Sequence, residues 1–445
     1  MSSSSENTNT NCHPAFNARE TNADTPLVPS SANGNVELKN VIVVYDYAAI
    51  NGGAAKVAIQ SAIALSEQQL NVIYFAAVGP IDEALRKSSV KVVCLGQDDI
   101  NTGSRWIAAT RGIWNTAAAR SLREVLSGFS RLDTVIHFHG WTKALSSSVI
   151  KAASDMGFTT IVTLHDFFAA CPNGGLYNYR KQTICHKRPM SAACVFCDCD
   201  KRSYPQKIWR VIRQIVQDSV VRNNEKTAYI SISDLNEKLL RQHLKSTRFY
   251  RVQNPAQLAK NRIPDCRKSN QYLFVGRVSD EKGPGLFCQV ISELKKQYNI
   301  EGILVGDGES LPSLRKAYPD IVYTGWKSAE EVASYIQKAR ALIIPSKCYE
   351  TAPTQVLLEA YSAALPSVVP DICAATELIR DGENGFVFKS NDIASLKEKI
   401  VETLDDAVLF RIQKTIEEEL SPDLFSIATH TGKLVSVYTD CLAHR

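Results

Sequence analysis

The sequence predicts an α/β protein with two parallel-sheet domains, each doubly wound, facing one another across a cleft. Three observations carry this. Short continuous apolar runs recur along the 445 residues, helical patterns separate them, and the alternation breaks near residue 253 and restarts near 272. A run that is apolar on both faces suits a strand covered on both sides of a parallel sheet. Strands alternating with helices build such sheets.

Residues 1–38 hold 17 Ser, Asn or Thr, which reads as a disordered tail. Order is expected from Val41-Ile42-Val43-Val44 onward. Further strands are expected at 72–78, 91–95, 134–138, 160–164 and 227–232, with helices over 54–69 and 141–156. These make a first domain, 39–253. The join Gln253–Asn270 carries Pro255 and Pro264 and is mostly polar. A second domain, 271–423, begins with Tyr272-Leu273-Phe274-Val275-Gly276. Its later strands are expected at 301–305, 321–324, 341–344, 366–369 and 385–388, with helices over 284–298, 328–339 and 392–404. A helix over about 424–441 closes the chain.

Composition excludes several classes. At 44% apolar and 22% charged, the chain has material for real cores, which argues against global disorder or a fibrous repeat. A formal charge of +5 is mild for a dedicated nucleic-acid binder. No run approaches the ~18 apolar residues of a membrane-spanning helix, and the N-terminus lacks a secretory pattern. We therefore expect a cytoplasmic protein whose twelve cysteines are not paired in disulfides.

Open parallel sheets bind ligands beyond the carboxyl ends of their strands, so the segments after the strands matter most. Asn51-Gly52-Gly53-Ala54 follows the first strand and opens a helix. Glycines there let a ligand approach the backbone, and the helix start offers free N–H groups to an anion, though glycine also serves ordinary turns. Gly276-Arg277-Val278-Ser279-Asp280-Glu281-Lys282-Gly283 follows the first strand of the second domain. Arg277 and Lys282 could converge on a diphosphate or simply decorate a solvated turn. In Pro345–Ala360, Glu350 falls in a loop and Glu359 inside an apolar helical stretch expected to start near Pro353. A buried acid needs a partner, either a ligand hydroxyl or a basic residue.

Taken together, the Gly-Gly-Ala turn, the His165-Asp166 strand end, the Gly-Arg…Glu-Lys-Gly turn and the two-glutamate segment resemble the retaining glycosyltransferases of family 4. The resemblance covers roughly residues 40–440. It implies the GT-B fold, two Rossmann-like domains about a cleft, and transfer of a sugar from a nucleotide-diphosphate donor to a hydroxyl acceptor with retained configuration. The resemblance implies that Gly276, Arg277 and Lys282 hold the diphosphate, while Gly52 and Gly53 close over it. His165 then faces the donor sugar, Glu350 contacts the sugar and the transition-state region, and Glu359 binds the ribose. Trp326 and Lys327 lie where the family places the nucleobase, Thr351 and Thr354 complete the donor site, and Asn254 matches the hinge. We assign His139 and Trp141 to the acceptor side. One departure stands out: eight residues separate Glu350 from Glu359 where the family usually has seven.

A helix N-terminus offers an anion only ~0.3–1 kcal/mol, up to ~2 when partly buried. Fixed cations in a water-poor cleft offer more as charge develops on a leaving group. The expected catalytic set is therefore His165, Glu350, Arg277 and Lys282, with no cofactor or metal needed for the chemistry. Expected partners are a nucleotide-sugar and a glycan or lipid-linked acceptor of polysaccharide biosynthesis, and no nucleic acid. An epimerase of the same fold or a catalytically impaired nucleotide-sugar-binding protein are the alternatives.

Two stretches stand apart. Cys171, Cys185, Cys194, Cys197 and Cys199 crowd an otherwise polar insertion. Four thiolates, which we take as Cys171, Cys185, Cys194 and Cys199, could hold a structural zinc; five reduced thiols are the alternative. Residues 201–251 hold 12 Lys or Arg against 4 Asp or Glu. Within them Ile208, Trp209, Val211, Ile212, Ile215, Val216 and Val220 form an apolar helical face. It either packs on the sheet or docks the protein peripherally on an anionic membrane.

Overall fold

The computed structural model describes residues 37–98, 105–256, 265–421 and 423–445. The expected tail, through residue 36, and the middle of the expected join, 257–264, lie outside the described residues.

The first sheet contains β1 (Asn40–Tyr47), β2 (Asn71–Val78), β3 (Lys91–Cys94), β4 (Thr134–Phe138) and β5 (Thr159–Thr163). A small hairpin, β6 (Tyr177–Asn178) and β7 (Thr183–Ile184), interrupts it before β8 (Ala228–Ser231) and β9 (Phe249–Arg251). The sheet order is β3-β2-β1-β4-β5-β8-β9, every pair parallel. The second sheet contains β10 (Gln271–Val275), β11 (Glu301–Val305), β12 (Val322–Gly325), β13 (Ala341–Ile343), β14 (Ser367–Pro370) and β15 (Phe386–Phe388). Its order is β12-β11-β10-β13-β14-β15, again all parallel. In β1 and β2 seven of eight residues are buried, because helices cover both faces.

Each sheet has its own hydrophobic core. The closing helix Ile427–Ala443 belongs to the first: Leu434, Val437, Tyr438, Cys441 and Leu442 pack there, whereas Phe425, just before it, packs in the second. The chain therefore crosses from one core back to the other near residue 426.

Several elements differ from expectation, each for a local reason. The helix expected over 141–156 is confined to Ser148–Asp155. Residues 143–145 are pinned as a loop because their N–H groups donate to the Asp46 carboxylate at 2.8–3.0 Å. The helix expected from Pro353 runs Gln355–Ser362, because the Thr354 hydroxyl accepts from Leu357 N–H and sets the boundary there. Strand β9 and the helix Asp406–Glu419 carry faint apolar signatures. The three residues of β9 are only partly buried, and the helix buries one side through Leu409, Ile412, Gln413 and Ile416.

Candidate active site

In an open parallel sheet the ligand crevice lies where strand order reverses, because neighbouring loops diverge there. The first sheet reverses between β1 and β4, and the second between β10 and β13. The four segments that follow these strands carry Gly52-Gly53, His139-Gly140-Trp141, Arg277–Lys282 and Pro345–Glu350.

On the second-domain side, Lys282 Nζ donates to Glu350 Oε1 at 2.5 Å, and the Ser346 hydroxyl donates to the same oxygen at 2.8 Å. Burial opposes the Lys282 charge, but the Glu350 carboxylate outweighs it and holds the ammonium pKa above its usual value. The next residue, Gly283, has φ +69°, and a Cβ there would lie 1.9 Å from the Pro345 carbonyl oxygen. Only glycine lets the turn bearing Lys282 pack against the loop bearing Glu350. Arg277 is exposed and forms no ion pair among the described residues. Trp326, after β12, is 76% exposed, while Lys327 is engaged by Glu331 at 2.9 Å. Gly276 closes β10 by donating its N–H to Val305 O at 3.0 Å.

The two halves touch through these loops. The Thr351 hydroxyl donates to the His165 carbonyl at 2.9 Å, and Ser233 Oγ donates to the Thr351 carbonyl at 2.5 Å. Lys56, in the first turns of the helix Gly53–Glu67, stands 3.7 Å from the Glu359 carboxylate. Burial raises the Glu359 pKa and Lys56 counteracts this. A Cβ at Gly52 or Gly53 would meet nothing within 4 Å, so this backbone faces open space.

The first-domain side is built on buried imidazoles. His137 is clamped between the Tyr438 hydroxyl at 2.6 Å and Thr163 Oγ1 at 2.7 Å. His139 Nδ1 meets His165 Nε2 at 2.9 Å, and His139 Nε2 is buried with no partner. Burial holds all three rings neutral, with His165 lowered to about 3. Between two neutral rings one nitrogen donates and the other accepts, so this pair holds orientation rather than charge. His139, His165 and Asp166 line a small cavity together with Trp141 and Thr163. Asp166 opens to the cleft, yet protein on its other sides pushes its pKa up to about 6. Trp141 is 4% exposed and its N–H donates to Gln217 Oε1 at 2.9 Å. The ring expected to face the acceptor is thus mainly a core residue.

Asp46 and Lys56 escaped the sequence reading. An acid at the end of an apolar strand was a signal for Asp46, since a buried carboxylate needs donors. Burial raises its pKa and the three backbone N–H groups of 143–145 oppose that rise. Lys56 gave no signal, because its partner comes from the other domain.

The cysteine-rich insertion departs from expectation. Cys171, Cys194 and Cys199 interact with the Lys207 ammonium, and Cys185 with Cys171, Cys194 and Cys197. Lys207 is fully buried, with Nζ 3.7 Å from Cys194 Sγ. Asn173 and Asn178 amides donate to Cys199 Sγ at 3.2 Å and Cys197 Sγ at 3.7 Å. Among the described residues no group of three or more His, Cys, Asp or Glu is arranged to hold a metal ion. A buried lysine thus supplies a cation beside the thiols expected to hold zinc. The insertion also reaches the other domain, with Gln182 donating to Asp280 at 3.2 Å and Lys201 pairing with Glu281 at 3.7 Å.

The helix Tyr204–Val220 is turned partly inside out. It buries Lys207, Arg213, Gln214 and Gln217 along with Val211 and Val220, and leaves Ile212 and Ile215 exposed at 46% and 59%. Arg213 explains the inversion: its guanidinium donates to the carbonyls of Thr142 and Pro172 at 3.1 and 3.0 Å, bridging strand-end loop and insertion. No described helix is long and apolar enough to cross a membrane.

Two parallel-sheet domains whose reversal points share a cleft define the GT-B class of glycosyltransferase folds. Sucrose-phosphate synthase from Thermosynechococcus elongatus superposes with a TM-score of 0.66 at 16% identity, over 92% of this chain and 100% of that one. HepE from Anabaena, solved in complex with UDP, gives 0.62 at 12% identity over 91% and 100%. Residues 269–406 match the family described as Glycosyl transferases group 1. Among curated proteins, it is 26% identical over 190 residues to the Escherichia coli UDP-Gal:alpha-D-GlcNAc-diphosphoundecaprenol alpha-1,3-galactosyltransferase, 40% of this chain and 48% of that protein. A Campylobacter jejuni N-acetylgalactosaminyltransferase, whose named acceptor is a diphosphoundecaprenol-linked glycan, is 25% identical over 45% of this chain and 55% of its own. The chain spans about half the length of these relatives.

Proposed function

We propose that this protein transfers a glycosyl group from a nucleoside diphosphate sugar to a hydroxyl of a lipid-linked or growing glycan, with retention of configuration. The observation that carries this reading is the reversal point of the second sheet. There Lys282 and the uncommitted Arg277 flank one turn, and Lys282 is held by Glu350. A diphosphate arriving there replaces one carboxylate with a more highly charged partner. As the glycosidic bond breaks, charge grows on the leaving oxygen, where two fixed cations stabilise it most. That supply of charge supports a reaction without a catalytic metal. Glu359 is placed to exchange Lys56 for ribose hydroxyls, and the exposed Trp326 offers a face to a nucleobase. His165, neutral and oriented by His139, positions the donor sugar. The leaving-group oxygen then takes the acceptor proton on the same face.

The relatives' lipid-linked acceptors and the exposed Ile212 and Ile215 support a peripheral seat on a membrane surface. The decisive measurement is thermal stabilisation by a panel of nucleoside diphosphates, followed by turnover of the matching nucleotide-sugar with and without EDTA. Binding, and turnover unchanged by EDTA, are expected; failure of every nucleotide to bind would refute the reading. Replacing Arg277 by Ala is expected to lower turnover ~10²–10³-fold, the scale of one electrostatic donor, with an unchanged melting temperature.

A further inference from the structure

A second cavity, of about 480 Å³, lies beside the cleft and belongs to none of the residues assigned to the donor. Ten residues line it: Cys185, His186, Lys187, Arg188 and Pro189 of the insertion, with Leu176, Leu239, Gln242, His243 and Tyr349. None is acidic. Lys187 and Arg188 are exposed, and neither is taken up by a carboxylate among the described residues. His243 stands near one of them: burial lowers its pKa, and Arg222 and Arg188 lower it further. Leu176, Leu239, Pro189 and the ring of Tyr349 add apolar groups to the lining. The volume falls within the range of small-ligand sites.

Position adds to chemistry. Tyr349 comes from the second domain and immediately precedes Glu350, while its ring meets Phe167 edge-on with centroids 6.2 Å apart. The cavity is therefore lined both by Tyr349, the residue before Glu350, and by Lys187 and Arg188 of the insertion. The insertion that supplies it is fixed at several points. Cys185 N–H donates to the Leu176 carbonyl at 2.8 Å, and Lys207 Nζ lies 3.7 Å from Cys194 Sγ.

We propose that this groove binds the diphosphate of a lipid-linked acceptor. Adjacent ammonium and guanidinium groups suit a diphosphate, the guanidinium by two-point hydrogen bonding. The apolar lining groups suit the first units of a hydrocarbon chain. This assignment rests on the transferase reading for its biological sense, but its test does not need a donor.

Geranyl diphosphate and inorganic pyrophosphate serve as probes in calorimetric titrations of the full chain. Geranyl diphosphate is expected to bind, and Lys187→Ala/Arg188→Ala is expected to weaken that binding at least ~10-fold or remove one site from the stoichiometry. Both side chains are exposed, so their removal leaves the core intact. A charge-matched control, Lys295→Ala/Lys296→Ala on a remote helix end, is expected to bind as the unmodified protein does. Pyrophosphate is expected to bind more weakly than the prenyl compound. Equal binding by the groove variant and the unmodified protein, or an equal loss in the control, would overturn the proposal. Pyrophosphate binding as tight as geranyl diphosphate would overturn the lipid-linked assignment. Failure of nucleotides in the separate screen would sink the transferase reading while leaving this titration interpretable.

Discussion

Lys56 and Glu359 face each other across the cleft at 3.7 Å, one from the first helix of the N-terminal domain and the other from the helix Gln355–Ser362. Both side chains are about one-fifth exposed, at 20% and 21%. A pair this long in a partly wet setting contributes on the order of 0–1 kcal/mol. It is weak enough to be exchanged for a ligand. Replacing Glu359 by Gln is therefore expected to change the melting temperature little and to weaken nucleoside diphosphate binding about tenfold, the loss of a charged hydrogen-bonding group. Calorimetry with the nucleotide checks this, and unchanged affinity would remove Glu359 from the site.

Gly53 separates folding from ligand approach. Its missing side chain has open space around it, so Gly53→Val should fold with an unchanged melting temperature. If a donor closes against this backbone, the added bulk should reduce turnover ~10-fold or more through misplacement. Full turnover in the folded variant would show that no ligand comes near.

Three buried histidines set the acid limit. His430 Nδ1–H donates to the Gln253 carbonyl at 2.7 Å and its Nε2 lies 2.9 Å from Ser61 Oγ, tying the closing helix to the strand end before the join. Burial lowers its pKa to about 4, and His137 and His139 are lowered well below the ordinary value. The unfolded chain takes up protons below about 6.5 while the folded chain refuses them. Stability contributed by these neutral rings is thus complete above that pH and is lost as pH falls toward 4. The slope reaches ~1.4 kcal/mol per pH unit for each ring. Denaturant unfolding between pH 7 and 5 should show this fall, and His430→Gln should make it shallower.

The exposed Ile212 and Ile215 offer a test of membrane seating. Ile212→Asp/Ile215→Asp should leave the fold intact, since both side chains already face outward, and should reduce cosedimentation with anionic liposomes several-fold. Undiminished binding would assign the contact to another surface.

Both sheets were legible in the sequence because a strand buried on two faces must be apolar throughout, as Val41–Val44 and Tyr272–Val275 are. The loops that matter were legible for a related reason: Gly283 and the Gly52-Gly53 turn follow such strands. What stayed hidden were relationships between segments distant in the chain. The helix Tyr204–Val220 looked like an apolar face awaiting a sheet, yet it is held by Arg213 reaching carbonyls 41 and 71 residues away. The cysteine spacing suggested a metal and gave no sign that Lys207, beyond the cluster, lies buried 3.7 Å from Cys194 Sγ.

By itself the sequence determined the two-domain α/β architecture, the strand-end positions of Arg277, Lys282 and Glu350, and the helical position of Glu359. Local periodicity and backbone sterics act over a few residues and can be read in order. Tertiary structure alone decided that Lys282 meets Glu350, that Lys56 meets Glu359, and that Lys187 and Arg188 border a groove. Charge pairing and cavity shape depend on which distant segments fold together, and chain order does not encode those distances in a form that spacing reveals.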